Sequence, residues 1–206
     1  MVDTAFHTPP EKKPRLATLY RKGASGLKPA QNLLAGGDPE TPPAVAVAGG
    51  GLVSTAADYA RFAQMLLNGG ELDGKRIVSA AALKEQMTNH LSDALVNGGF
   101  GVGLQQIRPG YGYAWDGSVF YDPDAAGVPV GLGTYQWDGA AGTWFWVDPT
   151  NDLLFVGLIQ LFSEAAPPLQ KISQTMMADA YVPSQRKPTM KLHLTQAWQD
   201  AISEVA

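Results

Sequence analysis

The stretch TYQWDGAAGTWFWVDPTNDLLFVGLIQLF, residues 134 to 162, limits what this chain can fold into more than any other. Aromatic and aliphatic residues fill two short arms, TWFWV (143–147) and LLFVGLIQLF (153–162), joined by the turn residues DPTND. Such a pattern predicts an antiparallel hairpin. Its second arm is apolar on both faces, as expected of a strand covered by helices on each side. Ahead of the first arm lies a small-residue segment, Gly139-Ala140-Ala141-Gly142, where another backbone or a ligand can come close to the main chain.

Further strand-like runs precede the hairpin. FGVGLQQI (100–107), SVFY (118–121) and GTYQW (133–137) are bounded by Gly, Pro, Asn and Asp. Before them the period changes. In AGGGLVSTAADYARFAQMLLNGG, Thr55 followed by Asp58 makes a capping-box pattern, and Tyr59, Phe62, Ala63, Leu66 and Leu67 recur at helical spacing. A helix over 56–68 is expected, ended by Gly69-Gly70. Asp73-Gly74 then suggests a small hairpin, and Ser79 caps a second helix, 80–90, that buries Leu83 and Met87. PPLQKISQTMMADAYV (167–182) reads as a helix packed on the sheet, and 192–202 as another in the tail. The first 50 residues hold seven prolines and read as loops, with one helical turn near Lys12 to Tyr20. The expected fold class is therefore α+β, an antiparallel sheet flanked by helices. Its divisions are a helical and loop region over 1–98, the sheet with its C-terminal helix over 99–182, and a tail over 183–206.

Composition narrows the chemistry. A formal charge of -4 argues against nucleic acid as the main partner, and Lys12-Lys13-Pro14-Arg15 reads as a solvated loop. There is no cysteine, so thiolate catalysis and zinc-thiolate sites are excluded. His7, His90 and His193 are far apart, no metal-binding spacing links them, and no metal or other cofactor is expected. No apolar run reaches the length of about 18 residues needed for a membrane span. The start, MVDTAFHTPPEKK, has no basic residue leading an apolar stretch, so it is not read as a signal peptide. The compartment stays open, with the cytoplasm slightly favoured.

The order of MVDTAFHTPPEKKPRLATLY, GGGLVSTAADYARFAQMLLNGGELDGKRIVS and WDGAAGTWFWVDPTNDLLFVGLIQ resembles the C-terminal half of the class C β-lactamase and penicillin-binding-protein-like serine hydrolases. Within that group it is most similar to the esterases of β-lactamase fold. The resemblance covers residues 1 to about 182. It implies a helical domain packed on an antiparallel sheet, with a reactive Ser in Ser-x-x-Lys, a second base in Tyr-x-Asn, and a third motif on the strand lining the cleft. By position Trp137-Asp138-Gly139 corresponds to that third motif, which is Lys-Thr-Gly in the lactamases and His-x-Gly or Trp-Gly-Gly in many relatives. The resemblance then implies that the Ala140 N–H is an oxyanion donor and that Trp137 walls the cleft. Tyr113, Trp115 and Tyr121 are candidates for the substrate wall. Read from the residues alone, Gly139 to Gly142 is equally a bulge, Trp137 a core residue and Asp138 a solvated strand end.

Two departures shape the expectation. Trp at 137, in place of Lys or His, disfavours recognition of a β-lactam carboxylate and favours an ester or amide substrate. Ser25-Gly26-Leu27-Lys28 is a Ser-x-x-Lys string, but Gly26 and Pro29 oppose the helix that would turn Lys28 toward Ser25, and no Tyr-x-Asn occurs. The nucleophile is thus unassigned and is expected before Met1. Open edges left by a missing half imply a homodimer or a complementing N-terminal segment. The other reading is a non-catalytic module that holds a ligand or a partner segment in the same cleft.

Overall fold

A computed structural model describes residues 1–30, 38–47, 49–102 and 105–162. A 3-10 helix over Pro10–Arg15 leads to the hairpin of β1 (Tyr20–Gly23) and β2 (Gly26–Pro29). Next come α1 (Ala56–Leu67), the short hairpin β3 (Glu71–Leu72) and β4 (Lys75–Arg76), α2 (Ala80–Gln86) and α3 (Asp93–Gly98). The second half runs β5 (Gly101–Val102), β6 (Gln105–Gln106), β7 (Tyr111–Tyr113), β8 (Ser118–Phe120), α4 (Pro123–Ala126), β9 (Thr134–Asp138), β10 (Thr143–Asp148), β11 (Leu153–Leu158) and β12 (Leu161–Phe162).

Strands β7 to β11 form one antiparallel sheet in chain order. Alternation along each strand divides its side chains between two faces. Val119, Tyr135, Phe145 and Val147 pack with Ala63 and Leu66 of α1 and Leu83 of α2. Tyr111, Phe120 and Trp146 pack on the opposite side with Val96 of α3, Ile107 and Ala126 of α4. The fold is α+β, with helices on both faces of an antiparallel sheet, as the sequence pattern predicts. α1 shares one core with the sheet, so described parts of the 1–98 and 99–182 regions are packed together.

The turn between β10 and β11 is stapled by Asp148, which is fully buried. Its carboxylate accepts from the N–H of Gly131 (2.7 Å), Thr150 (3.0 Å) and Asn151 (3.0 Å) and from Asn151 Nδ2 (3.0 Å). Those bonds replace the water that a buried carboxylate loses. In the first turn of α1 Asp58 plays a similar part. Thr55 accepts from the Asp58 N–H at 3.2 Å, as a cap should. The Asp58 side chain does not return to Thr55 but accepts from Val2 N, Asp3 N and Thr4 Oγ1, docking the N-terminal strap on α1.

Several expectations are corrected. Lys12 to Arg15 is no free loop: Lys12 and Arg15 each pair with Asp3 at 2.8 Å, and Lys13 pairs with Glu40. The helical turn ends at Arg15, and Tyr20 belongs to β1. The second helix stops at Gln86 instead of residue 90, because Asn89 and His90 bond to the outer edge of β7. The run 100–107 holds two short strands, β5 and β6, paired with each other, and 153–162 breaks into β11 and β12. β12 leaves the sheet to run parallel to β1. The helices expected over 167–182 and 192–202, the 183–206 tail and His193 lie outside the described residues.

Candidate functional site

β9 is paired on one side by β10 through Asp138, and on the other by β8 only as far as Gln136. The ladder from β8 therefore stops one residue short of Trp137. Gly139 N donates to Thr143 O at 2.7 Å and Gly142 N to Gly139 O at 2.9 Å, with Gly142 at φ 75°. These bonds define a three-residue hairpin loop ending in a left-handed glycine, the usual bulged form. The carbonyls of Ala141 and Gly142 accept from Leu161 N and Ile159 N, both at 3.1 Å. A Cβ on Gly142 would sit a tight 3.1 Å from Ile159 O, so the segment between β11 and β12 packs closely on this turn. Ala140 is exposed, and neither its N–H nor that of Ala141 donates to an acceptor among the described residues. The product is a rigid turn presenting backbone donors outward.

Aromatic rings stand on β9 and on the β7–β8 hairpin. Trp137 is half-buried and meets Tyr113 edge-to-face at 5.4 Å. Trp115 forms the tip of the β7–β8 hairpin and is 56% exposed. Its N–H donates to Gln86 O at 3.1 Å, its carbonyl accepts from the Tyr135 hydroxyl at 2.8 Å, and its ring lies 4.7 Å from that of His90. Burial pushes the Tyr135 phenol up to about 12, and burial followed by the Asp116 carboxylate raises that of Tyr113. Both remain neutral donors near neutrality and are poorly matched to act as bases there. Tyr121 lies at the far end of β8 and packs with the core around Ala126, so it does not join this group. Asp138 is half-buried at the end of β9 and acts electrostatically on Tyr111. Among the described residues no cluster of three His, Asp or Glu could hold a metal.

The model of the Beta-lactamase family matches residues 1–173. The chain belongs to that family. Protein Rv1367c of Mycobacterium tuberculosis is 38% identical over 163 residues, covering 78% of this chain and 40% of that protein. Esterase EstB of Burkholderia gladioli is 43% identical over 56 residues, 27% of this chain and 14% of the esterase. Among solved structures, EstCE1, described as a hydrolase with promiscuous acyltransferase activity, superposes with a TM-score of 0.56 at 24% identity, over 78% of this chain and 42% of its own. The fold is thus that of β-lactamase-family hydrolases, and the chain spans about two fifths of the length of the curated relatives it matches.

Within this family member, Ser25 occupies the two-residue turn of the β1–β2 hairpin and Lys28 sits on β2 across from Arg21. Every residue of these two strands is exposed. The Ser25–Lys28 string is therefore extended, as Gly26 and Pro29 foretell, and a second Ser-x-x-Lys string, Ser184-Gln185-Arg186-Lys187, lies outside the described residues. Of the residues singled out by sequence, Trp137, Asp138, Gly139 and Ala140 are contiguous on β9 and its turn, and Tyr113 joins them through its ring. Gln86, Asn89, His90 and Tyr135, which position β7 and Trp115, were not legible as site residues: their roles depend on main-chain bonds between distant segments.

No helix among the described residues is long and apolar enough to cross a membrane.

Proposed function

We propose that this chain is the sheet-bearing C-terminal portion of a serine hydrolase acting on esters or cyclic amides through an acyl-enzyme. The braced turn at 139–142 carries the reading. The Ala140 N–H points at no acceptor of the described protein and would bind the oxyanion of the tetrahedral intermediate. Donors of this kind lower an acyl-transfer barrier by roughly 2.7–4 kcal/mol each. Trp137, Asp138 and Gly139, with Tyr113 and Trp115, line the cleft. Trp137 offers an apolar wall where a carboxylate-binding cation would otherwise stand, which favours a neutral ester or amide over an anionic substrate. The similarity to an esterase supports the same preference. The nucleophile and its base are not assigned to residues of this chain and are supplied by a preceding segment, on a longer chain or a complementing one.

The extended conformation at Ser25–Lys28 supports a second reading, a non-catalytic module that binds a ligand or partner segment in this cleft. Intact-mass analysis after treatment with a fluorophosphonate separates the possibilities. A stoichiometric adduct lost in Ser25→Ala means a nucleophile at Ser25 and overturns its dismissal. An adduct that survives that substitution places the nucleophile at another residue of this chain. No adduct on the isolated chain, with labelling restored when an N-terminal segment is supplied, supports the split hydrolase. No adduct under either condition supports the binding module.

A further inference from the structure

The β7–β8 hairpin tip is fixed with unusual care for an exposed loop. Trp115 is held through its N–H by Gln86 O and through its carbonyl by the buried Tyr135 hydroxyl. Gly117 lies so close beneath Tyr135 that a Cβ there would come within 2.5 Å of that ring. Asp116, the residue after Trp115, adopts φ 56°, a left-handed conformation that a side-chain-bearing residue takes at a cost. The outcome of these restraints is an indole left 56% exposed. One face of the ring is backed by His90 at 4.7 Å, tilted 38°. His90 is itself immobilised, its N–H donating to Tyr113 O at 3.0 Å and its Nε2 lying 2.8 Å from Glu85 O. A solvent-facing aromatic with restrained backbone and a ring behind it loses little freedom when a second ring settles on its open face.

We propose that Trp115 is a stacking platform for a planar, unsaturated group of the substrate's acyl or alcohol part, and that His90 is the positioning residue that sets its angle. This rests on the cleft reading above and names the substrate class within it: aryl or conjugated esters and amides over saturated ones. Tyr113, two residues before Trp115 on the same hairpin, meets Trp137 edge-to-face at 5.4 Å and adds apolar surface near by. A saturated ring presents no flat π-face, and offset stacking rewards only a planar partner.

The test uses 2-naphthol and cyclohexylmethanol, neither of which can be hydrolysed, titrated calorimetrically into the chain. Saturable binding of 2-naphthol is expected, weakened about tenfold in Trp115→Ala and about threefold or less in Trp115→Phe, which keeps a flat ring. His90→Ala should weaken it and His90→Phe should restore it, whereas cyclohexylmethanol should respond little to any of the four. Equal losses for the two probes, unchanged naphthol binding in Trp115→Ala, or no saturable binding would overturn the proposal. Circular dichroism of each variant confirms that the fold is kept. Because neither probe is acylating, failure here leaves the fluorophosphonate result standing, and an unlabelled chain can still bind naphthol.

Discussion

At the scale of single residues, the candidate oxyanion turn makes a direct demand of one atom. Ala140 occupies the second position of the turn Gly139–Gly142, a place where proline is well accepted because its fixed φ suits the geometry. Ala140→Pro removes the N–H while keeping the turn. On the proposed hydrolase reading, kcat for ester turnover should fall on the order of 100-fold with KM little changed, and the melting temperature should match that of the parent. Steady-state kinetics beside a thermal melt checks both halves, and a variant that retains full turnover removes Ala140 from the mechanism. Asp148 makes the contrasting case of a residue whose value is structural. Asp148→Ala leaves the buried N–H of Gly131 and the turn donors of Thr150 and Asn151 without their acceptor. Chemical denaturation should show a loss of at least about 3 kcal/mol.

At the scale of elements, the docking of residues 2–4 on α1 depends on ionised carboxylates. Burial alone would raise the Asp58 carboxyl, but the N–H of Asp3, the Thr4 hydroxyl and the N–H of Val2 together hold it below its usual range. The Arg15 and Lys12 side chains hold Asp3 far lower still. Both groups are depressed in the fold, so protons bind the unfolded chain more readily. Their stabilisation is present above the unfolded value of about 4 and is lost as pH falls through the folded values. Melts recorded between pH 7 and 2 should drop on the acid side, with a shallower drop in Asp58→Asn. A parent-like slope in that variant would count against this account. The helix to which this strap docks was legible, since Thr55 and the apolar spacing from Tyr59 to Leu67 mark α1 to within a residue. β8 to β11 were legible as well, through aromatic runs bounded by turn residues. What sequence hid has a physical cause: β7 is three residues long with Gly112 at its centre, and the true end of α2 is set by Asn89, whose amide bonds Tyr113 and Leu91 across the gap. The candidate site was half visible. Trp137 to Ala140 are consecutive, whereas His90 and Tyr135 reach Trp115 only after the chain has folded.

At the scale of the whole molecule, the two edges of the sheet differ. The outer side of β7 is bonded by Asn89 and His90. The outer side of β11 has no paired strand among the described residues, and Leu153 to Leu158 carries neither charge nor proline to discourage pairing. Leu158, 43% exposed, ends that strand. We expect the isolated chain to elute at twice its mass in light-scattering chromatography, and Leu158→Lys to shift it toward the monomer. A parent that is monomeric at high concentration would dispose of the dimer and leave the complementing segment as the partner of this edge. The bracing of the 139–142 turn also bears on time as well as place. Its carbonyls are held by Ile159 and Leu161, and Leu161 is in turn paired with Tyr20, about 140 residues earlier. A contact that spans so much chain closes slowly, because the entropy of the intervening loop is lost before the pairing returns anything. The donors at Ala140 would thus be among the last features of the molecule to be set, and refolding followed by ligand binding at the cleft should lag behind refolding followed by the burial of Trp144 and Trp146.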